Sequence, residues 1–380
     1  MRTHWRRAAV IVPLVALGAC SSAADASLQQ EIPGDLAGEI ARRIEVRESP
    51  ALFTLFAMLN AAGYDEETRG EMHPVRRAVR STLPRVLPDS MFARADAFYK
   101  RHPGTQLWTY SVIALATSGP PSFAPTPAWT NDLSKEPGFK GYADLPPLLR
   151  DFNRAFRADS IYRTHQLAYR AYIADYNAVI KREVTAVLHY ARVANASELR
   201  GVGDHKRVVV IPNLLMSYDR SYSFALDSTF YSVEGPQAVV RYVPHEFIHA
   251  VTKPLAEDSA SADVIRDKVA SVYASVRNRT GVRDIGSATA FADECLVRAI
   301  ALRYVAARDP ERDARQQSAA EADAREGLVL VPYFYDQLKA YERQRAPLRE
   351  YFPKLLDGLD ALRELNRWRP PGEAPISAPR

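Results

Sequence analysis

The sequence predicts an α+β chain, mostly α-helical, with a small β-sheet placed just ahead of one unusual helix. Three observations lead there. Apolar residues recur at helical spacing through most of the 380 residues. Two runs, 208–211 and 221–233, read instead as strands: a Val-Val-Val-Ile run, then Phe224, Leu226 and Phe230 alternating with polar residues. Residues 245–249 then read His-Glu-Phe-Ile-His within an apolar stretch.

The first residues are set aside from the fold. Arg2, Arg6 and Arg7 precede an apolar stretch, 8–19, that is too short to span a bilayer comfortably. It ends Leu17-Gly18-Ala19-Cys20, which resembles a bacterial lipobox. Residues 1–19 are then a lipoprotein signal peptide and Cys20 carries the lipid; a plain signal peptide cut near Ala23 or Ala26 is the alternative. Residues 20–38 read as a tether, 39–366 as a single domain and 367–380 as a flexible, Pro-rich tail. The expected address is the bacterial cell envelope, by export, with a lipid anchor and no span. Ser21 would suit the periplasmic side of an outer membrane, in a cell that has one.

Loss of residues 1–19 removes three arginines and lowers the formal net charge from +5 to +2. With no long basic run and no basic stripe interleaved with aromatics, nucleic acid is not an expected partner. Cys20 and Cys295 are the only cysteines. With Cys20 lipidated no disulfide can form, so the apolar core, drawn from 47% apolar residues, must hold the chain together.

Within the domain, 44–46 reads as a short strand. Ser49-Pro50 supplies an N-cap and a first-turn proline for an almost wholly apolar helix over 51–59, stopped by Gly63. Helices are expected at 74–83, 89–101 and 106–117. The Pro- and Gly-rich stretch 118–141 reads as a long loop or a lobe boundary, with Phe123, Trp129 and Phe139 packing it down. Helix resumes near Leu145 and again over 160–196, where Tyr162, Leu167, Tyr169, Tyr172, Tyr176, Ile180, Val184 and Leu188 read as a core stripe. Gly201-Val202-Gly203 is a breaker. Pro244 allows two readings of the next helix: it starts near Gln237 and bends at Pro244, which we prefer, or it starts at Pro244 itself. Pro254 should end it. Helices at 263–277, 287–308, 313–326, 331–345 and 348–366 complete the chain.

On a helix, residues four apart share a face, so His245 and His249 can point two imidazoles at one cation. Glu246 sits about 100° round the helix, placed to take a proton from a metal-activated water. With so few histidines the HExxH pattern arises by chance in about one such chain in a hundred. The expected metal is zinc, which takes three protein ligands and leaves a fourth position open in catalytic sites. No histidine follows His249 closely, and Thr252 stands where the metzincin spacing needs glycine. Glu294 is the preferred third ligand, a carboxylate inside the apolar helix 287–308 where burial is costly without a partner. Asp293, on a different face, is the competing ligand, and Arg298 is an ordinary i+4 partner for Glu294. Glu257 and Asp258 are expected in a loop.

HExxH followed by a glutamate on a second helix resembles the gluzincin group of zinc metallopeptidases. The stretches 245–255 and 294–300 are also similar to an uncharacterised bacterial exported family with a predicted peptidase site, over about 44–359. The resemblance implies a zincin-like metallopeptidase core, zinc on His245, His249 and Glu294, and Glu246 as general base. One position departs from thermolysin-like enzymes: Arg298 stands where they place an aspartate that orients a zinc histidine, so another group must do this. Tyr333, Tyr335 and His205 are candidate transition-state donors, each with a structural alternative. The expectation is a lipid-anchored zinc metallopeptidase acting on a peptide or protein substrate. Strand 208–211 or 221–233 would pair with the extended substrate. Two alternatives stand beside it: a non-catalytic envelope binding or scaffolding lipoprotein with a structural zinc, and a hydrolase of non-peptide amides.

Overall fold

The computed structural model describes residues 36–369, apart from 65–71, 103–106, 137, 196–197, 200–206, 219 and 284, and apart from some side chains, those of 238–243 among them. The leader, Cys20, the Gly201-Val202-Gly203 breaker, His205 and the tail beyond 369 lie outside the described residues. The chain is α+β and mostly helical, with one four-stranded sheet among the described residues.

Helix α1 (Leu36–Arg43) already covers residues 36–38, which the sequence assigns to the tether. Burial of Ile40 draws this segment into the core. Strand β1 (Ile44–Val46) follows. Helix α2 (Pro50–Ala61) starts as expected: Ser49 Oγ accepts the Leu52 N–H at 3.2 Å, and Pro50 fills the first turn. Its side chains from Ala51 to Asn60 are all buried, and the chain leaves it through Gly63 at φ 83°. Helices α3 (Pro74–Val86), α4 (Asp89–Arg101) and α5 (Leu107–Leu115) come next. Phe123, Trp129 and Phe139 are buried, which seals the stretch 118–141 onto the protein.

Helices α6 (Leu145–Phe156) and α7 (Ala158–Ala191) meet at Arg157, whose φ of 54° is left-handed. The core stripe of α7 is narrower than the sequence suggests. Tyr162, Tyr169, Ile180, Val184 and Leu188 are buried, but Leu167 is 79% exposed. Five residues beyond Tyr162 turns the helix by about 140°, which carries Leu167 to the solvent side.

Strands β2 (Arg207–Pro212), β3 (Ser221–Leu226) and β4 (Thr229–Glu234) complete the sheet. The run 221–233 is therefore two strands and not one. The chain reverses at Asp227-Ser228, with Asp227 in the left-handed region at φ 52°, which aspartate tolerates better than most residues. The order is β1-β2-β4-β3; β1, β2 and β4 are parallel and β3 is antiparallel to β4. Registers place Phe230, Ser232 and Glu234 of β4 opposite Ala225, Ser223 and Ser221 of β3, so these six share one face. That face carries α8 (Ala238–Glu257), with Phe230 edge-on to Phe247 at 6.2 Å.

Helix α8 begins at the preferred place, with Gln237 as N-cap and Pro244 inside it. It does not end at Pro254. It runs one more turn to Glu257, which is thus helical, and Asp258 N–H closes it on Pro254 O. A proline lacks only its own N–H, and its carbonyl still accepts. Helices α9 (Ser259–Val276), α10 (Ala288–Arg308), α11 (Asp313–Arg325) and α12 (Val331–Glu342) follow. The expected helix 348–366 is two, α13 (Leu348–Asp357) and α14 (Ala361–Arg367), because Gly358 closes the first and Asp360 caps the second through the Arg363 N–H. Buried residues encircle α10, and it packs against α8, α9, α11 and α12.

The bend from β4 into α8 is tight. A Cβ at Gly235 would lie 2.1 Å from Ser217 O and 3.0 Å from Tyr218 O. Gly235→Ala should therefore cost about 2–3 kcal/mol of stability, read as a lower urea midpoint, whereas Leu167→Gln should change it by less than about 0.5 kcal/mol.

Candidate metal centre

The site forms where α8 crosses α10 above the polar end of the sheet. His245 and His249 lie one turn apart on α8, ring centroids 4.8 Å apart and planes nearly perpendicular. Glu294 of α10 reaches both: its Oε2 is 3.6 Å from His245 Nε2 and 3.3 Å from His249 Nε2. Among the described residues these three form the one group whose ligand atoms, all within 4.8 Å of one another, could hold a metal ion. Zinc with bonds of about 2.1 Å in tetrahedral geometry sets its ligand atoms about 3.4 Å apart, and the two measured separations lie on either side of that value. The three side chains remain 14–17% exposed, so the convergence faces solvent on one side.

His249 and Glu294 are each held by a neighbour. Asp293 does not converge as a ligand. It turns to His249 Nδ1 at 2.7 Å, and its other oxygen accepts from Thr252 Oγ1 at 2.5 Å. A carboxylate only accepts, so Nδ1 of His249 donates, and Nε2 is the nitrogen that would give up its proton to take a cation. This fills the orienting role that the sequence, with arginine at 298, leaves unassigned. Arg298 has a different part: its Nε donates to Glu294 Oε1 at 2.7 Å and its Nη1 to Asp323 Oδ1 at 2.9 Å. With Oε1 so engaged, Glu294 offers the site Oε2 alone.

Glu246, on the sheet side of α8, accepts a hydrogen bond from Ser223 Oγ of β3. Of the two strands considered for substrate, β2 is closed off between β1 and β4, whereas among the described residues β3 pairs with β4 alone. Tyr333 and Tyr335 are not directed at the centre. Tyr333 donates to Leu355 O at 2.8 Å, and Tyr335 to Asp313 Oδ1 at 2.7 Å. Cys295 is a buried thiol whose pKa burial pushes up, and it is not among the three converging side chains.

The charges are coupled. Burial would lower the pKa of His249, but hydrogen bonds to Asp293 and Glu294 outweigh it and raise it to about 10. Burial would raise that of Glu294, yet hydrogen bonds from both imidazoles and the charge of Arg298 hold it well below the usual carboxylate range. Sequence reasoning missed Asp293 as orienter and Ser223 as partner of Glu246. Both left signals: Thr252 one turn beyond Ile248 for the first, serines at alternate strand positions for the second.

Two outcomes follow. In the metal-free chain the contribution of His249 is full below about pH 6.5 and declines as pH rises to about 10, because its folded pKa is raised. His249→Asn should flatten that alkaline decline in the urea midpoint. Asp293→Asn should weaken zinc affinity about 10–100-fold with helix content unchanged, read by competition with a chelator.

No family model matches the chain, and neither a curated protein nor a solved structure matches it.

Proposed function

We propose that the chain is a zinc-dependent hydrolase, a gluzincin-like metallopeptidase with a zincin-like core, anchored by lipid at Cys20 in the bacterial cell envelope. The observation that carries this reading is the convergence of His245 Nε2, His249 Nε2 and Glu294 Oε2 from two helices, with His249 Nδ1 occupied by Asp293. A donor set of two imidazoles and one carboxylate suits zinc, and its partial exposure suits a centre that meets substrate. When bound, zinc would polarise a substrate carbonyl and acidify a water.

The chain's own groups supply the rest. Glu246 takes the proton of the attacking water and returns it to the leaving nitrogen. Ser223 fixes that carboxylate toward the sheet side of the site. Strand β3, unpaired on its outer edge among the described strands, offers main-chain hydrogen bonds to an extended peptide running beside Glu246. Arg298 and Asp293 keep the ligands from turning away. No helix among the described residues is long and apolar enough to cross a membrane, which is compatible with a tether in place of a span.

Metal analysis tests the reading. Wild type should hold about one zinc per chain, His249→Ala far less, and equal zinc in both would remove the site. Glu246→Gln should keep zinc while peptide hydrolysis falls about 10²–10⁴-fold; full activity in that variant would refute the base.

A further inference from the structure

The face of the sheet beneath α8 holds a second carboxyl that the proposed reaction does not use. Glu234, the last residue of β4, is fully buried. Its Oε1 accepts from Ser232 Oγ at 2.5 Å, and its Oε2 has no hydrogen-bond partner. Ser221, directly opposite on β3, faces it without closing a hydrogen bond. Ser232 in turn lies directly opposite Ser223, the residue that donates to Glu246. The order along this face is thus Glu234, Ser232, Ser223, Glu246: two carboxyls, each accepting from one serine of a cross-strand pair.

A buried carboxylate without full hydrogen bonding is costly, and the neutral acid is the affordable form. Burial raises the Glu234 pKa to about 8; the Ser232 hydroxyl opposes the rise and the charge of Glu246 adds to it. The other titratable groups that sense Glu234 are Tyr172 of α7 and Tyr222 of β3, both pushed by burial above the usual tyrosine range and so neutral. Glu246 is therefore the one charged neighbour among these groups.

We propose that Glu234 is a positioning residue for Glu246: a buried carboxyl at one end of a cross-strand serine pair whose other end holds the base. The proposal rests on the reading of Glu246 as the base. While Glu234 is neutral, this face carries a single negative charge, that of Glu246, stabilised by the Ser223 hydroxyl. Ionisation of Glu234 places a second negative charge on the same face and repels the base from its seat.

The first test reads Glu234 directly and needs no turnover. Infrared spectra of the full chain labelled with ¹³C-glutamate should show one carboxylic-acid band that survives neutral pH and disappears with a midpoint of about 8. The band should be absent in Glu234→Gln, and its midpoint should fall in Glu246→Gln. A missing band, or a midpoint unmoved by loss of the Glu246 charge, overturns the proposal. The second test uses the zinc-loaded protein and fluorescein-labelled casein. Glu234→Ala should lower kcat about a hundredfold with KM within about twofold, and Glu234→Gln should recover most of that loss while moving the alkaline limb of kcat/KM to higher pH. Identical pH profiles for wild type and Glu234→Gln overturn the positioning role. Casein left uncut by the zinc-loaded wild type defeats the hydrolase reading alone, and the infrared midpoint in Glu246→Gln then decides whether the two carboxyls are coupled.

Discussion

The hydrogen bond from His249 Nδ1 to Asp293 ties α8 to α10, and the geometry of the whole centre depends on it. It fixes the ring plane of His249 and exposes Nε2. It also sets the height of α10 against α8, which decides whether Glu294 can reach both imidazoles from the next position along. Thr252 adds a second strut between the same helices through the other oxygen of Asp293. The neighbours Asp293 and Glu294 thus divide the work, about 100° apart on one helix: one grips the partner helix, the other faces the space between the imidazoles.

Such a cluster is expensive to assemble in an apolar setting. Two carboxylates and two imidazoles sit among Phe247, Ile248, Phe291 and Leu296, all fully or almost fully buried. Removing charge from water costs several kcal/mol per ion unless hydrogen bonds replace the lost hydration. Here they do: Arg298, itself paired with Asp323, neutralises the far side of Glu294, and Thr252 completes Asp293. The polar groups therefore form one connected network, satisfied from α8 to α11, instead of a set of isolated pairs.

Much of this was legible in the sequence. The His245–His249 spacing and the single glutamate within an apolar helix were enough to select the three converging side chains, since few arrangements tolerate a carboxylate in such surroundings. Asp293 was harder to read. Residue spacing says that it faces away from Glu294, but not that the partner helix curls round far enough to meet both. Helix ends followed local chemistry where a cap was present, as at Ser49 and Ser287. They failed where the deciding group was a neighbour in space: α8 runs on past Pro254, and Leu167 belongs to an apolar series that the helix turns outward. The hairpin at Asp227 escaped notice because alternation of apolar residues continues across it almost unbroken.

The sheet beneath the centre joins segments far apart in the chain. Residues of β1, Ile44 to Val46, pair with Val208 to Val210 of β2, which lie 164 residues further along the chain. A polypeptide emerging amino end first, from a ribosome or through a translocation pore, cannot close this parallel pair until β2 has followed, and such distant pairings form slowly. Helix α10 emerges later still. The convergence of the three side chains is thus among the last features to mature, so a chain that has emerged only as far as α8 carries His245 and His249 without the carboxylate that meets them.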